Sequence, residues 1–224
     1  MLIIGHPPIE VRLKRNPRAK RLTLRLSRLD GKATLTIPTR ISDAKAHDFL
    51  AEQEQWLRTQ LAKSVNRQSV EIGGTVPFLG QPHMLQAATT KLIRAQDGHI
   101  TINPTQTGPR LRAFMKTEAR NALAPLIHKY AAQISRPINR LTLRDTRSRW
   151  GSCSVEGNLM FSWRLVMAPP EVLDYVAAHE VAHLAEMNHS SDFWAVVQLL
   201  MPDYKTHRHW LREHGAGLHA IDFS

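Results

Sequence analysis

The sequence predicts an α+β fold, with a β-rich region containing one helix in residues 1–105 and a second domain of mixed helices and strands in residues 106–224. Two patterns predict this class. Apolar and polar residues alternate with the period of a strand in several short segments, and apolar residues recur at helical spacing in longer ones. The content of 42% hydrophobic and 22% charged residues is typical of a folded protein.

The first region begins with three segments in which apolar and polar residues alternate. Because one face of each segment would be apolar and the other polar, we expect a half-exposed sheet. Asp30 and Gly31 predict a hairpin turn between the second and third strands. The three predicted strands span residues 9–13, 22–26 and 33–37.

One helix and a second β stretch complete the first region. Ser42 is a typical N-cap residue, and the apolar residues that follow it predict a helix over 43–63. Glycines and prolines then punctuate a β stretch in which Asp97 and Gly98 predict another turn.

The second domain is predicted to start after a cluster of Thr, Gln, Gly and Pro residues between Pro104 and Pro109, where we expect the main boundary. A long amphipathic helix follows, and Pro125 within it predicts a kink or a break. Two strands come next, and then a helix opened by consecutive prolines. These four elements are predicted over residues 111–134, 141–144, 159–166 and 171–186.

The charge balance favours anionic partners. Thirty Lys and Arg residues against nineteen Asp and Glu residues give a net charge of +11, which favours encounters with nucleotides, nucleic acids or other anionic surfaces. A basic surface without a dedicated partner is about as common. Cys153 is the one cysteine, so no internal disulfide is possible, and neither a signal peptide nor a membrane-spanning run is evident. We therefore expect a cytoplasmic protein without a membrane partner.

The predicted helix 171–186 carries a metal-binding pattern. His179 and His183 are four residues apart, so their imidazoles project from one helix face and can hold one ion. Glu180 lies beside them, in the position that a general base requires. A His-Glu-x-x-His sequence of this kind predicts a catalytic zinc site.

A catalytic zinc usually has three protein ligands, so a third is needed. His189 is the leading candidate, although a straight helix would carry it past the ion. Asn188 offers a turn, because Asn tolerates the left-handed conformation that ends helices, and Ser190 then predicts the N-cap of a new helix. Three imidazoles also accept manganese, cobalt or nickel.

The segments around this pattern resemble a known family. Residues 149–153, with the sequence Arg-Trp-Gly-Ser-Cys, and the segments 163–170 and 179–190 resemble the YgjP-like metallopeptidases, relatives of the SprT-like zincins. This resemblance is dense over residues 141–215. It implies a zincin-like catalytic core, in which a small twisted sheet packs on helices. The resemblance also implies an edge strand that pairs with an extended peptide, expected within residues 159–166.

Three further residues are candidates for binding the substrate. Arg147 and Arg149 would lie near the site in the family layout and could bind a phosphate or a carboxylate. Tyr204 could donate a hydrogen bond to a developing oxyanion, although packing is the commoner role. Cys153 could be a fourth metal ligand, but a small buried side chain is the commoner role.

The sequence thus favours a zinc metallopeptidase that cuts polypeptides, with a zinc-activated water as the nucleophile and Glu180 as the general base. Two alternatives stay open because the ligands do not choose the substrate. One is a metal-dependent nucleotide pyrophosphatase or phosphohydrolase. The other is a nucleic-acid-associated protease whose basic N-terminal region docks on DNA or RNA. Oligomeric state is left open.

Overall fold

The computed structural model describes residues 1–27, 31–62, 67–89 and 92–224. They form two compact units, Met1–Arg67 and Gln68–Ser224. Both units combine helices with sheets, which confirms the α+β class. In the described residues, no helix is both long enough and apolar enough to span a membrane.

The first unit is a four-stranded sheet with the strand order β1-β2-β4-β3. The buried face of this sheet shares one apolar core with the two helices of the unit. The three predicted strands are confirmed. Asp30, part of the predicted hairpin turn, lies outside the described residues. The elements are β1 (Leu2–Ile4), β2 (Ile9–Arg15), β3 (Thr23–Leu26), β4 (Ala33–Ile37), α1 (Asp43–Glu52) and α2 (Glu54–Ala62).

The helix predicted over 43–63 is two helices. Ser42 caps the first as predicted, because its side chain accepts a hydrogen bond from the N–H of Lys45. The break lies at Gln53, whose backbone leaves the helical conformation with ψ of 4°. Lys63, the predicted end, lies outside the described residues.

The second unit begins with a four-stranded sheet of order β6-β7-β9-β8 and a long helix. Asp97 and Gly98 have φ of 52° and 74° and join two antiparallel strands, which confirms the predicted turn. The helix continues through Pro125 without the predicted break. These elements are β5 (Gln68–Ser69), β6 (Thr75–Phe78), β7 (Gln81–Ala87), β8 (Arg94–Gln96), β9 (His99–Ile102) and α3 (Thr107–Gln133).

The division between the compact units differs from the expected boundary between Pro104 and Pro109. Strands β6 to β9 bury their apolar residues in the same core as α3 and the buried Trp163. Because this core spans both sides of residues 104–109, that segment connects two layers of one unit. The composition change therefore marks a loop between layers.

The remainder of the second unit is a three-stranded sheet packed on helices, as expected for a zincin-like core. The elements are β10 (Arg140–Arg144), β11 (Gly151–Cys153), β12 (Asn158–Ser162), a 3₁₀ helix (Trp163–Met167), α4 (Pro170–Ala182), α5 (Ser191–Leu200), α6 (Tyr204–Ala220) and β13 (Ile221–Asp222). The short β13 pairs in parallel with β5.

The expected edge strand within residues 159–166 is wrong. Strand β12 is central, because it pairs in parallel with β10 and antiparallel with β11. Residues 163–167, which continue it, form the 3₁₀ helix. In this three-stranded sheet the edge strand beside α4 is therefore β11.

A buried arginine holds the end of the chain against this sheet. The guanidinium group of Arg164 donates two hydrogen bonds to the carboxylate of Asp145, at 2.7 and 3.2 Å. It also donates to the backbone carbonyls of Leu218 and Ile221, both at 2.9 Å. A guanidinium with an ion-pair partner and four hydrogen bonds tolerates burial, so this contact fixes the end of α6 on the loop after β10.

Candidate metal centre

Helix α4 carries His179, and His183 is the residue that caps its C-terminal end. It is apolar around most of its circumference and buried, with Val176, Ala177 and Val181 in the core. The imidazoles of His179 and His183 project from one side of this apolar segment, one helical turn apart.

The structure brings His189 to the same place. The candidate ligand atoms of His179, His183 and His189 all lie within 4.8 Å of one another. The Nε2 atoms of His179 and His189 are 3.2 Å apart. Two nitrogens bound to one tetrahedral zinc at the usual bond length are separated by about 3.3 Å. The donor set and its spacing therefore fit a zinc ion.

The chain reaches His189 by a route that the sequence did not predict. Helix α4 ends at Ala182, four residues before the predicted end, and a turn follows at once. The left-handed conformation expected at Asn188 is wrong: its φ is not positive, and its side chain instead accepts a hydrogen bond from the N–H of Ser190 at 2.9 Å. Ser190 caps α5 as predicted, by accepting from the N–H of Phe193.

Neighbouring groups hold the imidazoles in orientation. Nδ1–H of His183 donates to the backbone carbonyl of Glu186 at 2.9 Å, which leaves its Nε2 lone pair free for a metal. The buried ring of Phe193 packs on all three imidazoles, with centroid distances of 4.4 to 4.9 Å. The imidazoles are thus positioned by packing as well as by the backbone.

Burial keeps the imidazoles of His179 and His183 neutral. Desolvation, with smaller contributions from the neighbouring imidazoles, lowers the pKa of His179 to about 3. Burial also lowers the pKa of His183. A neutral imidazole is the form that binds a metal, so the environment favours the ligand state.

Glu180 is buried directly against strand β11. A Cβ atom added at Gly151 would lie 2.6 Å from Cδ of Glu180, so only glycine leaves room for this carboxyl group. Burial raises the pKa of Glu180 to about 8, and the charge of Arg149 acts in the opposite direction. In its ionised form, a carboxylate with a raised pKa is a stronger base than an ordinary carboxylate.

These groups line a cavity of about 540 Å³. The lining includes the three histidines, Glu180 and strand β11. The other lining residues are Ser148, Arg149, Trp150, Tyr175, Val176, Met187 and Leu211. A cleft of this size accommodates several atoms of an extended chain beside the metal site.

The three candidate substrate residues have different positions. Arg149 lines the cavity, whereas Arg147 is exposed and is not among the lining residues. Tyr204 is buried and stacks on Trp194 at 5.3 Å, also outside the cavity lining. Tyr175 does line the cavity, and sequence reasoning missed it. Its signal was its spacing, four residues before His179 on the same helix.

Two neutral groups complete the cavity. Burial raises the pKa of Tyr175 to about 12, so its hydroxyl stays protonated and can donate a hydrogen bond. Burial, with the nearby charge of Glu180, raises the pKa of Cys153 to about 11. A thiol that stays protonated is a poor metal ligand and a poor nucleophile, so this environment disfavours Cys153 as a fourth ligand.

Comparison with known proteins identifies the family of this chain. Among solved structures, the chain is similar to the one described as the crystal structure of the metallopeptidase zymogen of Pyrococcus abyssi abylysin, with 22% identity and a TM-score of 0.36. That similarity covers 40% of this chain and 93% of the other. The comparison with curated proteins finds no significant match. The family model of the YgjP-like metallopeptidase domain matches residues 20–214, and the chain therefore belongs to the YgjP-like metallopeptidase family.

Proposed function

We propose that this chain is a zinc metallopeptidase that hydrolyses peptide bonds in polypeptides. His179, His183 and His189 hold the zinc, and Glu180 is the general base. One observation carries the proposal: three imidazoles converge within 4.8 Å of one another beside a buried carboxyl group. All four residues lie in the range 106–224 expected for the hydrolase, within the compact unit Gln68–Ser224.

Zinc is the metal that suits this donor set best. Three neutral nitrogen ligands leave a fourth position open in a tetrahedral site, which is typical of catalytic zinc, whereas structural sites are usually closed by four protein ligands. When bound, zinc polarises the scissile carbonyl and brings the pKa of a water molecule close to neutrality.

Glu180 moves the proton. Its carboxylate accepts a proton from the attacking water as the water oxygen bonds to the carbonyl carbon. The same group then donates that proton to the leaving nitrogen as the carbon–nitrogen bond breaks. Its burial against Gly151 keeps the carboxylate in one position through both transfers.

Two other residues of the cavity act on the substrate. We assign to Tyr175, in place of Tyr204, a hydrogen bond to the carbonyl oxygen as it gains charge, because Tyr175 lines the cavity and burial keeps its hydroxyl protonated. Arg149 also lines the cavity and provides a positive charge that would favour a substrate carboxylate.

Metal content and turnover test this function together. We expect about one zinc per chain by elemental mass spectrometry, and sharply less in His189→Ala, since two imidazoles alone hold zinc weakly. We expect a chelator to abolish cleavage of a quenched fluorescent peptide and added zinc to restore it. His209→Ala removes an exposed imidazole and serves as the control.

Two results would contradict the proposal. One is a protein that takes up no zinc after reconstitution, and the other is peptide cleavage that continues when the metal is removed. Metal-dependent release of phosphate or pyrophosphate from a nucleotide panel, without peptide cleavage, would favour the phosphohydrolase alternative.

Charge distribution favours a second candidate, the nucleic-acid-associated protease. Residues 1–67 contain 14 Lys and Arg residues but only 6 Asp and Glu residues. On the sheet of this unit, Arg12, Lys14 and Arg25 are exposed. If the unit docks on nucleic acid, the logarithm of its binding constant should fall linearly with the logarithm of the salt concentration, because each phosphate contact releases counterions. A flat response in a fluorescence anisotropy titration would exclude this docking.

A further inference from the structure

A second groove lies next to the catalytic cavity, on the open face of the sheet β10-β12-β11. Its volume is about 720 Å³, and Arg140, Arg144 and Arg149 line it. The other polar lining groups are hydroxyl and amide side chains, and none of the described lining residues carries a carboxylate. The groove is therefore a positively charged surface rich in hydrogen-bond donors.

We propose that this arginine groove selects polypeptide substrates that carry acidic residues beside the scissile bond. The proposal rests on the proposed peptidase function and names its substrate class.

Strand geometry places two of the arginines in line. Arg140 and Arg144 alternate with Leu141 and Leu143, which pack against the apolar core, so both arginines project from the open face. They are four residues apart, which corresponds to about 13 Å along a strand. An extended peptide covers that distance with about four residues.

The groove and the catalytic cavity are continuous. Ser148, Arg149, Ser152 and Cys153 line both of them. A polypeptide held at the metal site can thus continue across β11 into the groove without leaving the surface. Arg149 lies where the groove meets the cavity. The hydroxyl of Thr146 holds the loop before β11 by donating a hydrogen bond to the backbone carbonyl of Arg149 at 2.8 Å.

The three guanidinium groups are available to a ligand. All three arginines are exposed, and across the described ranges none of them forms a salt bridge. Arg149 acts on the buried Glu180 only through its charge. Arg164, by contrast, makes four hydrogen bonds within the protein. Unpaired guanidinium groups bind carboxylates through two parallel hydrogen bonds.

An acidic polypeptide fits the groove better than a nucleic acid does. Single-stranded nucleic acids gain much of their binding energy by stacking bases on aromatic rings. No aromatic side chain is among the groove's lining residues in the part of the chain that is described. The groove also opens into a cavity with a peptidase arrangement, so the carboxylates of Asp and Glu side chains are the expected anions.

A matched pair of peptides tests the proposal on the zinc-loaded full chain. Both are quenched fluorescent peptides of equal length, one with Asp and Glu flanking the cleavage site and the other with Asn and Gln there. We expect kcat/KM to be about tenfold higher for the acidic peptide, and this ratio to fall as salt rises. The double variant Arg140→Gln/Arg144→Gln should lower the ratio markedly while leaving turnover of the neutral peptide unchanged, because only Arg149 then remains to favour acidic residues.

Arg147→Gln is the matched control, because Arg147 is exposed in the adjacent loop but lines neither the cavity nor the groove. It should keep the wild-type ratio. Equal kcat/KM for the two peptides in the wild type would overturn the proposal and leave the peptidase function standing.

A binding measurement separates the two proposals if neither peptide is cleaved. Fluorescence anisotropy with the zinc-loaded Glu180→Gln variant should show tighter binding of the acidic peptide, and this preference should be markedly smaller in the Arg140→Gln/Arg144→Gln background. Equal binding of the two peptides would overturn the groove assignment. Stronger competition from a single-stranded oligonucleotide than from the acidic peptide would also overturn it, in favour of nucleic acid.

Discussion

Glu180→Gln is expected to lower kcat for peptide cleavage by about 10³-fold while zinc content stays at the wild-type level. The amide has nearly the shape of the carboxylate and still fits against Gly151, but it cannot accept a proton from water. A positioned general base contributes about 10² to 10⁴-fold to the rate. The three imidazoles are unchanged, so the metal site should survive.

Elemental mass spectrometry and single-turnover cleavage measure the two expected effects separately. Glu171→Gln is the matched control, since it makes the same change at an exposed position in the first turn of the same helix. It should leave both quantities unchanged. If Glu180→Gln cleaves the peptide within a few fold of the wild-type rate, the general base is a different group.

Gly151→Ala is expected to lower kcat by at least about 10²-fold, although residue 151 is not charged and is not a proposed ligand. The new Cβ would overlap the side chain of Glu180. Either the carboxyl group or strand β11 must then move, and a displacement of about 1 Å at a reacting group can cost about 10²-fold in rate. Zinc binding should persist, because the three histidines lie on α4 and the segment after it.

Gly217→Ala provides the control for this substitution. A Cβ at Gly217, in helix α6, meets no other atom within 4 Å. This variant should have wild-type turnover and an equal or slightly higher melting temperature, because Ala favours helix. Zinc content close to one per chain in Gly151→Ala shows that the site is folded. Wild-type turnover in that variant would show that the contact between Gly151 and Glu180 does not position the base.

Several features of this protein were evident in the sequence because they depend on residues close together in the chain. The spacing of His179 and His183 within a helix is sufficient to place both imidazoles on one face. Ser42 and Ser190 cap helices with their own side chains, and the turn at Asp97 and Gly98 follows from the conformations those residues tolerate. The resemblance to the family also depended on short contiguous motifs.

Other features depend on contacts between distant segments, so the sequence patterns did not predict these features. The central position of β12 depends on its pairing with both β10 and β11. Alternation of apolar and polar residues within one segment does not reveal which strands pair. The compact units divide at residues 67 and 68, away from the expected boundary near residues 104–109, for a related reason: the core shared by β6 to β9 and the 3₁₀ helix joins both sides of that segment.

The candidate site shows the same division. The metal-binding pattern, the caps and most of the elements follow from the amino-acid order, because local geometry and side-chain chemistry act over a few residues. How His189 returns to the helix, that Tyr175 rather than Tyr204 lines the cavity, and that Gly151 leaves space for Glu180 became evident in the folded chain. Those arrangements depend on packing between segments that are distant in the sequence. In a close-packed interior, steric overlap excludes the other arrangements.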